Sequence, residues 1–177
     1  MFSRSALITG AILALLLGGT PLPIFAHASP LGHAPVPQDT LRDEPKAVIL
    51  PQSGAPVELT AYKASYEGAR LFQADGIKHE VTFRNDDDQR IDAIKLRFVM
   101  YSVFRDIIDR SYGVVLEPLS PGTDDNENWT HDPPNAATFY IGAVYVEKVR
   151  FADGTIWTVD TAPMEEQLRR IERTGGI

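Results

Sequence analysis

The side chains able to do chemistry are few in this chain, and their spacing limits what that chemistry can be. Cysteine is absent, which removes thiol nucleophiles, thiolate metal ligands and disulfides. No Gly-x-Ser-x-Gly turn presents a serine, and only His79 and His131 lie in the stretch that reads as folded. A nucleophile needs an adjacent base, and neither histidine has a sequence-level partner. His79 sits on the apolar face of an alternating segment, so a hydrogen-bonded core histidine is the expectation. His131 falls in a polar segment and is expected in solvent. Asp124, Asn126 and Asn128 follow the Asp-x-Asn-x-Asn opening of a calcium loop, in which alternate oxygen donors turn toward one hard cation. Trp129 stands at the sixth position, where Gly makes the turn, and Asn135 at the twelfth, where a bidentate Glu closes the shell. A calcium site here therefore needs an irregular loop, with Asp125 and Glu127 as added donors. No catalytic residue and no cofactor is expected; calcium is the alternative to an ordinary solvated loop. His27 carries a second metal idea. A leader cut after Ala26 would free its amine beside its imidazole, a Cu(II) chelate, but Ala26-His27-Ala28 favours cutting after Ala28.

The elements that position these residues begin well inside the chain. Arg4, the apolar run Ala6 to Leu17, the breakers Pro21 and Pro23, and the small-x-small site Ala26-His27-Ala28 spell a secretory signal peptide, residues 1–28. An uncleaved anchor is the alternative, but the run is shorter than the about 20 apolar residues of a membrane span. Residues 29–45 are proline-rich and read as an extended, disordered tether. The β domain is expected over 46–162, with Lys46 to Leu50 as a short edge strand, and a helix and tail over 163–177. The chain carries 17 Lys and Arg against 24 Asp and Glu, a net −7. It thus lacks the basic footprint of a nucleic-acid binder and would be repelled by anionic membranes.

Within the domain, Ile77, His79, Val81 and Phe83 alternate with Lys78, Glu80, Thr82 and Arg84, the period of a half-buried strand. Val57 to Tyr62 alternates less strongly. Ile91 to Phe104 (IDAIKLRFVMYSVF) is the longest strand-like stretch of the domain. Its first half is one-sided. Its second half is apolar on both faces, with Phe98, Met100 and Phe104 opposite Val99, Tyr101 and Val103, which a solvated outer face does not explain. Thr123 to Asn135 reads as a polar connection anchored by Trp129. Ala137 to Phe151 is again strand-like, with Gly142 marking a bulge or bend. Ala152-Asp153-Gly154 is a hairpin turn with two possible registers: a two-residue Asp-Gly loop pairs Phe151 with Ile156, and a three-residue loop with a left-handed Gly154, the preferred reading, pairs Val149 with Trp157. After Pro163, the stripe Met164, Leu168, Ile171 predicts a helix of about eleven residues, supported by Glu165–Arg169 and Glu166–Arg170 pairs. That stripe is expected to cover the two-faced half of the central strand. Without that cover, Val99, Tyr101 and Val103 would form a partner surface.

About seven short strands with turns between them predict an all-β fold, an antiparallel immunoglobulin-like sandwich with a short C-terminal helix; a small barrel is the alternative. Phe98-Val99-Met100-Tyr101-Ser102, after a polar Asn/Asp turn and before Leu119-Ser120-Pro121-Gly122, resembles the motif of the FxLYD domains, with Met for Leu and Ser for Asp. The resemblance implies an immunoglobulin-like sandwich in a prokaryotic envelope protein and implies no activity.

The functional expectation is an exported, non-catalytic interaction module, periplasmic or extracellular, that binds an envelope protein or other envelope component. It is expected to keep no transmembrane anchor after cleavage and to contact no nucleic acid. The competing expectation is a calcium or small-ligand binder using Asp124 to Asn128.

Overall fold

The computed structural model describes residues 44–69 and 75–176. The leader and all but the last two tether residues lie outside them. Eight strands follow: β1 Lys46–Ile49, β2 Val57–Glu67, β3 Gly76–Asn85, β4 Ile91–Ser102, β5 Ile107–Val115, β6 Asp124–His131, β7 Phe139–Phe151 and β8 Ile156–Thr158. Among the described residues one α-helix, α1, spans Thr161–Thr174, and a short 3-10 turn spans Ala136–Thr138. One sheet runs β2-β3-β6. The other runs β1-β7-β4-β5, with β8 also on β7. All pairings are antiparallel except β1 with β7. The fold is a two-sheet β-sandwich with a C-terminal helix, one strand richer than the sequence pattern suggests. The added strand is β6, whose polar composition hides it.

The sequence period decides which face meets which core. The alternation of β3 holds, and Ile77, His79, Val81 and Phe83 all point inward and are wholly buried. Between the sheets Val81 and Phe83 meet Leu96 and Phe98 of β4 and Val144, Val146 and Val149 of β7, Ile77 meets Met100 and Phe139, and His79 meets Phe98. The central strand ends at Ser102, and Val103 and Phe104 fall in the following turn, both exposed. Its second half is two-faced because each face has its own cover. Phe98 and Met100 face the partner sheet, whereas Val99 and Tyr101 face α1 together with Ile141, Ala143 and Tyr145.

The helix docks as its stripe requires. Met164, Leu168 and Ile171 are buried on the outer face of the larger sheet. The element starts earlier than Pro163, because the Asp160 carboxylate accepts from the Ala162 N–H at 3.0 Å and caps the first turn. Gly175 ends it in the left-handed conformation, φ 74°. Glu165 does not pair within the helix. It takes two hydrogen bonds from Arg110 of β5, at 2.7 and 3.3 Å, while Glu166 binds Arg169 and Arg173. The helix is thereby latched to the sheet it covers.

The β7–β8 hairpin has the expected register, Val149 opposite Trp157, with Gly154 at φ 87°. A register shift in β7 opposite Lys95 and Leu96 turns Tyr145 to the helix side while Val149 stays inward. Gly142 is no bulge; it is a point of close approach. A Cβ there would lie 2.5 Å from the Tyr62 hydroxyl.

Candidate functional site

Two glycines and the rings of four strands assemble an aromatic chamber between the sheets. Its centre is His79, which stacks on Phe98 with ring centroids 4.4 Å apart. Tyr62 of β2 lies parallel to His79, and its hydroxyl shares a 2.8 Å hydrogen bond with His79 Nδ1. Gly142 leaves the space that this hydroxyl fills. From β6, Trp129 stands opposite His79 in the ladder, and His131 stands two pairs further along, opposite Ile77. The Trp129 ring lies so close to the β5 backbone that a Cβ on Gly113 would be 2.5 Å from it. The His131 ring is 5.2 Å from His79, centroid to centroid, and its Nε2 donates to the Tyr112 carbonyl at 3.3 Å.

The electrostatics follow from burial. Desolvation, and then the neighbouring His131, lowers the His79 pKa to about 3, so the ring is neutral at physiological pH. Burial pushes the Tyr62 hydroxyl far above its usual range. It is a hydrogen-bonding group at neutral pH and no nucleophile. Two ring nitrogens, His79 Nε2 and His131 Nδ1, are buried and have no hydrogen-bond partner. That is a costly state for an imidazole nitrogen.

The sequence pattern foresaw a buried, hydrogen-bonded His79. It missed His131, expected in solvent, as its neighbour. The segment Thr123 to Asn135 was expected as a loop because both faces of β6 are polar at most positions. The spacing of Trp129 and His131, two apart and so on one face, was the available signal.

The same strand lays the residues of the calcium expectation out in a row. Pairing with β3 from Arg84–Asp124 to Ile77–His131 holds the segment extended. Asp124, Asn126 and Asn128 all face solvent along one edge, about 6.7 Å between alternate residues. The three donors form a row, and the Asn126 Nδ2 donates to the Thr82 hydroxyl at 3.1 Å. Among the described residues no group of three or more His, Cys, Asp or Glu side chains could hold one metal ion.

The conditional partner surface is divided. Val99 and Tyr101 are wholly buried under α1, whereas Val103 is 49% exposed. The Tyr101 hydroxyl donates to the Leu168 carbonyl at 3.4 Å, so the helix occupies the place a partner would have taken.

A different apolar surface lies beside the helix. Tyr112 and Val114 of β5, Leu116 just past its end and Ile156 of β8 are all exposed. A groove of about 200 Å³ runs between Ala93, Val114, Lys148 and Ile156. Lys95 lies over the Tyr112 ring at 4.7 Å and also binds Glu147 at 2.9 Å. Burial works to raise the Glu147 pKa, but Lys95 and Arg97 outweigh it and hold the carboxyl below its ordinary range. Lys148 and Arg150, at the rim, enter none of the ion pairs among the described residues.

No curated protein matches this chain. The family described as haemolysin-type calcium binding protein related domain matches residues 137–161, the β7–β8 hairpin and its flanks. Solved structures with similarity include a hypothetical protein from Peptoclostridium difficile 630, at 9% identity and TM-score 0.47, covering 67% of this chain and 92% of that one. A DUF1425 family member from Shewanella sp. pv-4 is similar at 15% identity and TM-score 0.38, covering 51% of this chain and 76% of its own.

Proposed function

We propose that the chain is an exported, non-catalytic binding module of the cell envelope. In this reading its working surface is the outer face of the larger sheet beside α1, and its partner is an envelope protein presenting an acidic, partly apolar segment. The observation that carries the reading is the exposure of Tyr112, Val114, Leu116 and Ile156, at 57, 43, 70 and 63%, with Val114 and Ile156 lining one groove. A monomeric surface gains nothing by such a patch. Lys148 and Arg150, outside the ion pairs and lining the groove between Val114 and Ile156, on a chain of net charge −7, favour an acidic partner over a basic one. Export is supported by the leader pattern from Arg4 to Ala28, and an envelope setting by the FxLYD resemblance. The absence of a catalytic reading rests on the chamber chemistry: a neutral buried imidazole beside a phenol, with no activated nucleophile.

The calcium association in the matched family's name finds no ligand set in residues 137–161. Glu147 is bound by Lys95 and Arg97, the Asp153 carboxylate accepts from Thr155, and Asp160 caps α1.

The test is capture from intact envelopes by the mature chain carrying a photo-crosslinker at Val114. The expected result is one recurrent crosslinked protein, lost in Leu116→Asp and in Ile156→Asp and weakened by salt, with the melts of both variants unchanged. Capture indifferent to both substitutions, or repeated recovery of nothing, would overturn the proposal.

A further inference from the structure

A polar cleft of about 380 Å³ lies where α1 begins, on the outer face of the larger sheet. Its size falls within the range of small-molecule sites, about 300–1,000 Å³. Among the described residues it shares one lining residue, Lys148, with the apolar groove, so its reading does not depend on the partner proposed above. The strand registers bring its side chains together: Arg97 stands opposite Tyr145, and Lys148 opposite Thr158. Arg110 of β5 and Glu165 of α1 reach it as an ion pair. Thr161 lines it from the first helical position.

Tyr145 points the cleft toward a ligand. The residue is 5% exposed, yet its hydroxyl makes no hydrogen bond among the described residues. That oxygen is not sealed off as the two imidazole nitrogens of the chamber are, and the cleft is its opening. Burial, ahead of the neighbouring charges, raises the Tyr145 pKa, so the group is a proton donor with nothing to bond. The other unspent groups are donors too. Arg97 holds Glu147 through Nε and Nη2, and Arg110 holds Glu165 through Nη1 and Nη2. Arg97 Nη1 and Arg110 Nε remain. The Lys148 ammonium and the Thr158 and Thr161 hydroxyls, without hydrogen bonds among the described residues, bring the donor groups to six. Both carboxylates are already taken by cations, Glu147 by Lys95 and Arg97 and Glu165 by Arg110. Three lining cations against two carboxylates leave an excess of positive charge. The cleft therefore suits an anion that only accepts. Six donor groups exceed the about four lone-pair sites of a carboxylate and match the three terminal oxygens of a phosphate ester, the group that Arg and Lys bind by charge-assisted hydrogen bonds. We propose that this cleft binds a phosphate group, free or esterified to a small molecule, with the Tyr145 hydroxyl and the Lys148 ammonium among its direct donors.

Inorganic phosphate and glycerol 3-phosphate are the probes, titrated calorimetrically into the mature chain, with sodium chloride at equal ionic strength as the control. Saturable binding and a raised melting midpoint are expected from at least one probe, and the tighter of the two tells a free ion from an ester. Tyr145→Phe keeps the ring and removes a hydroxyl without a partner. The midpoint of the free chain should stay where it is, while the affinity for the probe falls about tenfold. Lys148→Gln, at an exposed position outside the ion pairs, should do the same. Binding of neither probe beyond the chloride control would overturn the site. Affinity equal to the parent's in either folded variant would overturn it as well.

Discussion

The carboxamide of Gln52 stands in for a strand on the backbone of Val146. Its Nε2 donates to the Val146 carbonyl at 2.8 Å and its Oε1 accepts from the Val146 N–H at 2.7 Å. One edge of β7 is shared by β1 and, further along, by β8. The Leu50 N–H reaches the Val144 carbonyl and the Val159 N–H reaches the Glu147 carbonyl. Val146 falls between them, and one side-chain amide closes the gap with the donor and acceptor that a peptide would supply. Gln52→Ala leaves both backbone groups unpaired and is expected to cost about 1–3 kcal/mol, read from urea denaturation. Gln52→Glu keeps the acceptor but sets a carboxylate against a carbonyl, and should fall no closer to the parent than Gln52→Ala.

The helix is the second core's lid. Leu168 is wholly buried against Val99, Tyr101 and Ile141, so Leu168→Ala is expected to cost about 2–5 kcal/mol. Deleting residues 163–177 should expose that apolar face, lower the melting midpoint and raise binding of a hydrophobic dye. A truncated chain with the parent's midpoint would show that the docking contributes no stability.

Acid should weaken the fold through His79. In the unfolded chain this imidazole takes its proton near pH 6.5, and in the folded chain only near pH 3. Between those values the unfolded state binds more protons. The stability contribution is therefore complete above about pH 6.5 and is lost as pH falls toward 3, at up to about 1.4 kcal/mol per pH unit. The carboxylates held below their ordinary range, Glu147 and Glu165, act at lower pH, so melts between pH 6.5 and 5 isolate the histidine. His79→Gln is expected to flatten the profile there.

The two glycines of the chamber should respond separately. Gly142→Ala drives a methyl into the Tyr62 hydroxyl, and Gly113→Ala drives one into the Trp129 ring. Each is expected to destabilise by about 1–3 kcal/mol. The Gly113 variant alone should also shift Trp129 fluorescence, because only there does the indole move.

Legibility from sequence followed the strength of the hydrophobic period. β3 announced itself by strict alternation, and α1 by the spacing of Met164, Leu168 and Ile171. The unexplained second face of β4 led to the helix as its cover. β6 was illegible because it alternates polar with polar. Its extended form is fixed by eight paired positions with β3, a long-range term that local composition does not carry. The same failure created the calcium expectation, since oxygen donors at alternate positions look alike in a loop and in a strand. Gly142 read as a bulge or bend, and only the tertiary contact with Tyr62 gives it its purpose, as the contact with Trp129 does for Gly113. The outer apolar patch was unreadable for a simpler reason. Tyr112, Val114 and Leu116 alternate as any strand does, and nothing local says which face will be left bare.

The parallel pairing of β1 with β7 gives the domain a mechanical polarity. The register from Lys46–Ile141 to Ile49–Val144 places the start of β1 at the end of β7 remote from the β7–β8 hairpin. A pull on Lys46 directed away from a partner seated near Ile156 runs along the strand axis. It loads the β1–β7 bonds together, in shear, and does not peel them one after another. Anchored in that direction, the sandwich would resist tension with a clasp far stronger than four residues of strand suggest.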